Sequence, residues 1–207
     1  MRLRAWDLAI ERGGRRLFAG VSFELAEGAA LIVTGPNGSG KSSLLRALCG
    51  FLPVQGGGFA LEGGDPERTV GEQAHYLGHA DGVKSALTAG ENLAFSAAML
   101  GGDSSSAAQR AALARLGLAH AIDFPVRLLS AGQRRRVALA RLLVANRPLW
   151  LLDEPATALD AAAQGALAAI MRAHLQAGGI LVTAAHGSLG LDGARELRLG
   201  ATERADA

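Results

Sequence analysis

The stretch from residue 29 to residue 48, AALIVTGPNGSGKSSLLRAL, constrains this chain more than any other. Its uninterrupted apolar start, Ala29 to Val33, contains two branched residues and reads as a buried parallel strand. Leu44 to Leu48 are good helix formers, so the residues between are a strand-to-helix turn. Within that turn Gly35 is followed, after four residues, by Gly40, Lys41 and Ser42, the spacing at which glycines let backbone N–H groups close around a phosphate at a helix N-terminus. Lys41 then supplies a mobile point charge and Ser42 a hydroxyl for Mg²⁺. Lys occurs at only two positions, Lys41 and Lys84, so a match by composition alone has odds of roughly one in a few hundred. Every other basic side chain is Arg, and the retention of a compact ammonium at Lys41 therefore points to a need for one.

A chain of 207 residues is enough for one domain with a full core. Although 49% of residues are apolar, no run approaches the ~20 that a membrane-spanning helix needs. The opening residues, MRLRAWDLAIERGG, scatter charge where a signal peptide would have an apolar core, so a cytoplasmic chain is expected. Cys49 is the single cysteine and sits among apolar helix residues, as a buried thiol would. A net charge of +2 is too mild to suggest nucleic acid.

In chain order, strands are expected over Leu3 to Ile10, Val21 to Leu25, Phe59 to Glu62, and His75 to Leu77. From residue 85 to 145 the pattern is helical, with three capping boxes: Thr88 with Glu91, Ser106 with Gln109, and Ser130 with Gln133. The expected organisation is one α/β domain over 1–207, whose core, 1–84 and 146–207, carries an inserted helical subdomain. The third capping box opens LSAGQRRRVALARLLVA, in which Ser130, Ala131 and Gly132 leave backbone N–H groups bare at a helix mouth, a second phosphate-type position.

Residues 149 to 155, LWLLDEP, are a buried strand ending in two carboxylates and halted by Pro155. Ligands of parallel sheets sit beyond the strands' carboxyl ends, which sets Asp153 beside the phosphate loop to share Mg²⁺ with Ser42. Glu154 is then placed to orient or deprotonate an attacking water. A last strand, Ile180 to Thr183, leads to His186 at the same sheet edge.

Together these pieces resemble an ABC-type ATPase subunit, over essentially the whole chain. Gly35-Pro36-Asn37-Gly38-Ser39-Gly40-Lys41-Ser42, with Ser43 after it, is similar to the Walker A loop, and LWLLDEP to Walker B. Leu129-Ser130-Ala131-Gly132-Gln133 resembles the signature motif, with Ala131 for the first Gly of the usual pair; Asp160 looks like the D-loop and His186 like the switch histidine. The resemblance implies a P-loop fold with a mostly parallel sheet, antiparallel N-terminal strands, ATP and Mg²⁺ as ligands, and a homodimer on ATP binding in which one copy's signature closes on the other's nucleotide. A narrower resemblance, carried by RRLFAGVSFEL, LTAGENLAF and PVRLLSAGQRRRVALARLL, is to the ATP-binding subunits of the cytochrome c maturation system (CcmA type), described as haem exporters. It includes His79 where most ABC proteins have the Q-loop Gln, and Arg12 where most have an aromatic that stacks on adenine. It implies a peripheral subunit on the cytoplasmic side of a bacterial inner membrane, partnered by an integral membrane subunit and other maturation proteins. The alternatives are a soluble ABC ATPase, whose relatives usually carry two nucleotide domains or long coiled coils, and the ATPase subunit of a different small-substrate transporter. A P-loop kinase would leave LSAGQ and His186 without a role.

Overall fold

The structure, a computed structural model, describes residues 1–185 and 189–200. It divides into two compact units, one made of residues 1–76, 148–154 and 174 onward, the other of residues 77–147 and 155–173. The helical unit thus extends beyond the expected 85–145 to take in the loop after Pro155 and most of the helix that follows it.

The first unit holds two sheets. β1 (Arg2–Arg12) pairs antiparallel with β2 (Arg15–Ala26) and with β4 (Gly56–Glu62), in the order β2-β1-β4. β4 starts at Gly56, three residues before the expected Phe59, and its glycines face the β1 bulge around Asp7: a Cβ on Gly57 would enter the Trp6 carbonyl, and one on Gly58 would stand 2.6 Å from the Trp6 indole. The second sheet runs β5 (Ala74–Leu77), β6 (Leu149–Asp153), β7 (Ile180–Ala184), β3 (Ala30–Thr34), β8 (Arg195–Arg198), and β3, β6, β7 and β8 pair parallel. All five residues of β6 and of β7 are buried, the apolar runs 149–152 and 180–182 together with Asp153, Thr183 and Ala184 at the strands' carboxyl ends. β8 carries three charged residues on the open edge and follows the strand taken from sequence as the last.

α1 (Lys41–Leu48) covers the parallel sheet with Leu44, Leu45 and Leu48, each fully buried in one core with Leu3, Leu25, Val33, Leu151 and Val182. Cys49 ends that helix in the same core, and burial pushes its thiol up to about 11, which leaves it inert as a nucleophile.

The helical unit contains α2 (Ala89–Leu100), α3 (Ser106–Ala114), α4 (Ala131–Ala140) and, from Ala161, α5 (Ala161–Gln176). Reciprocal capping boxes open α2 at Thr88 and α4 at Ser130. The box expected at Ser106 is corrected: Ser105 is the cap, accepting from the Ala108 N–H, because Asp103 turns the chain one residue earlier by accepting from the Ser105 N–H. Gln109 instead donates to the Ser104 carbonyl. α4 ends at Ala140 in a 3₁₀ turn, shorter than the long helix its sequence suggests. No helix among the described residues is long and apolar enough to cross a membrane.

Candidate functional site

The turn between β3 and α1 has the geometry of an anion cradle. Gly35, Gly38 and Gly40 take φ of 138°, 81° and 101°, values that L side chains avoid. A Cβ on Gly35 would run into the Leu199 carbonyl, and one on Gly40 would stand 2.8 Å from the Phe18 ring, so both positions need glycine for space as well as for conformation. Lys41 is buried and donates to the carbonyls of Gly35 and Pro36, at 2.8 and 3.1 Å, so its ammonium lies over the loop's mouth. Ser39 Oγ is buried with no hydrogen-bond partner among the described residues. An orphaned hydroxyl inside a ring of left-handed glycines, at a helix start with no side-chain cap, fits a bound phosphate chain.

Across the sheet, Val33 of β3 and Asp153 of β6 both pair with Ala184 of β7, so Asp153 ends its strand level with the entry to the loop. Its carboxylate is 3% exposed and close enough to α1 to act on Arg46, whose pKa is raised chiefly by the bond to the Tyr76 hydroxyl and further by Asp153. The Ser42 hydroxyl and the Asp153 carboxylate are hard oxygen donors, the set that suits Mg²⁺ when substrate phosphates and water complete its shell. Glu154 follows with φ 48°, its N–H donated to the Ala184 carbonyl at 2.9 Å. Non-glycine residues held in the left-handed region are strained, and such positions cluster at active sites and ligand clamps. His186 lies outside the described residues.

A cleft of about 720 Å³ opens beside the loop, lined by Arg15, Arg16, Leu17 and Phe18 of β2 and by Pro36 to Ser39. Arg12 is exposed at the end of β1 opposite Arg15 and does not line this cleft. Arg15 and Arg16 were overlooked in the sequence, where they look like ordinary hairpin charges.

In the helical unit the signature residues, 129–133, open α4. Ser130 Oγ accepts from the Gln133 N–H and Gln133 Oε1 accepts from the Ser130 N–H, while Leu129 is buried and Ala131 is exposed at the first turn. Gly132 packs against the loop before α5: a Cβ there would stand 2.8 Å from the carbonyl of Ala158, itself left-handed at φ 64°. Asp160 caps α5, its carboxylate accepting from the Ala163 N–H at 2.8 Å. His79 is exposed on the loop after β5, whereas His75, on the strand, is buried against Trp150 in the first unit.

A parallel sheet with a glycine cradle, a lysine over its mouth and a buried carboxylate at the level of the loop define a P-loop NTPase. The ABC transporter family model matches residues 18–157. The chain is 54% identical over 200 residues to the cytochrome c biogenesis ATP-binding export protein CcmA of Nitrobacter winogradskyi, covering 97% of this chain and 98% of the relative. It is 52% identical to the protein of that name from Bradyrhizobium diazoefficiens, with the same coverage. Among solved structures, a putative ABC transporter ATP-binding protein of Pyrococcus furiosus superposes with a TM-score of 0.83 at 21% identity, covering 96% and 98% of the two chains. A bacterial Atm1-family ABC exporter with ATP bound gives 0.81 at 26%, covering 96% of this chain and 37% of that one. The chain belongs to the ABC transporter ATP-binding family, in the group that includes the cytochrome c biogenesis ATP-binding export proteins.

Proposed function

We propose that the chain is the ATP-hydrolysing subunit of a membrane ABC complex that works in c-type cytochrome biogenesis, energising haem export or the release of a haem chaperone. Near-full-length identity above one half to cytochrome c biogenesis ATP-binding export proteins carries the pathway, and the cradle around Lys41 carries the chemistry.

In this reading the N–H groups of residues 35–43 and the Lys41 ammonium hold the phosphates, and the Ser39 hydroxyl gains the partner it lacks. Ser42 and Asp153 would hold Mg²⁺, which would supply charge neutralisation at the nucleotide's phosphates. Glu154 orients and deprotonates the attacking water, and His186 is the residue that matches the family's switch histidine. Arg12 stands on the base side in place of an aromatic. The first turn of α4, Leu129 to Gln133, completes the site of a second copy in a head-to-tail dimer, and Asp160 lies along the same seam. The integral membrane subunit docks near His79 to Thr88 on the cytoplasmic face of the inner membrane, where the chain sits peripherally.

Coexpression with the integral membrane subunits of a cytochrome c maturation system tests the proposal. The chain should sediment with membranes only when they are present, and Glu154→Gln should abolish maturation of c-type cytochromes without releasing it. Normal cytochrome maturation in a strain whose only copy is Glu154→Gln would remove the pathway assignment.

A further inference from the structure

Arg135 lies one turn into α4, on the helix that the signature residues open, and is only 4% exposed. Among the described residues its guanidinium reaches the Pro155 peptide and the loop 78–82. Nε donates to the Pro155 carbonyl at 3.3 Å, and one terminal nitrogen donates to the Gly78 carbonyl at 3.0 Å and to Asp81 Oδ1 at 3.1 Å. Pro155 is the residue after Glu154, and Gly78 and Asp81 bracket His79. Six residues on, Arg141 donates to the carbonyls of Asp81 and Gly82, so the loop 78–82 is fastened to the α4 side at two points. Near the other end of the helix Gly132 closes against the Ala158 carbonyl.

We propose that Arg135 is a positioning residue for the hydrolytic step, holding the peptide of Pro155, the residue bonded to Glu154, in register with α4 and with the His79 loop. The role rests on the proposed function, since it matters only if Glu154 acts on water. Glu154 is held at a left-handed φ, and such a conformation persists only where its surroundings over-determine it. The Ala184 carbonyl fixes its N–H side, and Arg135 fixes the carbonyl of the next residue. A planar fork with several donors can serve Pro155, Gly78 and Asp81 at once; a single ammonium nitrogen, of no greater reach, can pair with Asp81 without reaching both carbonyls.

That difference separates positioning from plain stabilisation. In the full-length chain Arg135→Lys should retain the Asp81 ion pair and hence a near-native Tm, keep the KM for ATP within about twofold, and lose about tenfold or more in kcat. Asp81→Asn should do the converse, lowering Tm by removing a charge beside a buried guanidinium while leaving both carbonyl contacts, and so kcat, in place. Wild-type kcat in Arg135→Lys, or kcat that merely follows Tm in both variants, would overturn the positioning role. Glu154→Gln run alongside tests the underlying reading. If it fails to slow turnover, the assignment of Glu154 falls and the role of Arg135 with it. If it does slow turnover while Arg135→Lys does not, only the positioning role is lost.

Discussion

Asp153 and Val33 stand at one level of the parallel sheet, each paired with Ala184 of the strand between them. That register brings a buried carboxylate to the height at which Gly35 begins the loop, and puts the phosphate cradle and the acidic strand end on one edge. Lys41 is the fixed cation of that edge, so Lys41→Ala should weaken MgATP binding at least a hundredfold, ~2.7 kcal/mol, by calorimetry. Retained micromolar affinity would remove the phosphate-loop assignment.

Two glycine substitutions should act in opposite directions. Gly35→Ala forces a side chain into a φ of 138° and against the Leu199 carbonyl, and should cost about 2 kcal/mol or more in denaturant unfolding along with nucleotide binding. Gly165→Ala lies inside α5, with open space where its Cβ would go, and should stabilise by about 0.5–1 kcal/mol through helix propensity. A neutral or stabilising Gly35→Ala would mean that the loop is not held in this conformation.

A titration away from the site gives a third expectation. The His174 ring stacks on Trp150 at 4.0 Å between centroids and donates from Nε2 to the Ile180 carbonyl. Burial lowers its pKa, partly offset by that bond. The unfolded chain therefore takes up the proton more readily than the folded one, so this contribution to stability is complete above the unfolded value of about 6.5 and is lost as pH falls through it towards the folded value. Tm should drop between pH 7.5 and 5.5, and His174→Phe, which can keep the stack, should flatten that slope. Equal slopes would exclude His174 as the titrating group.

The phosphate loop, the acidic strand end and the capped α4 mouth were legible because each is a local rule: glycine spacing, an apolar run closed by carboxylates and proline, and a hydroxyl three residues before a glutamine. What was missed depends on partners distant in sequence. α5 announces itself only through Asp160 before three alanines, and β8, RELR, has the charge of a loop until β3 is present to pair with it. The Ser105 cap differs by one residue from the expected one because Asp103, not the position of Gln109, sets the turn. Nothing in the pattern QRRRV tells which arginine turns inward; burial singles out Arg135.

Base selectivity should be low. Arg12, and Arg15 and Arg16 along the cleft, offer guanidinium planes that can lie against any base face without reading an edge. ATP and GTP should therefore be hydrolysed with kcat/KM values within about tenfold of each other, and a preference on the order of a hundredfold, ~2.7 kcal/mol, would require edge contacts from elsewhere.

The last expectation concerns assembly. Ser130 and Gln133 satisfy each other's backbone reciprocally at the start of α4, but the rest of that first turn offers bare N–H groups at an exposed helix mouth. Two surfaces each carrying anion-binding groups gain little from meeting until an anion bridges them, so without nucleotide the chain should be largely monomeric. With Glu154→Gln blocking turnover by 10²-fold or more, ATP and Mg²⁺ should trap a twofold dimer holding two nucleotides. ADP should not, because the γ-phosphate supplies the differential affinity for the closed state. Adding Ser130→Arg should prevent closure by bulk at the mouth. Light scattering of the Glu154→Gln chain with ATP, with ADP, and with ATP in the double variant decides the matter: a dimer formed equally in all three would reduce LSAGQ to an ordinary helix cap, and the proposed coupling of ATP to assembly would be wrong.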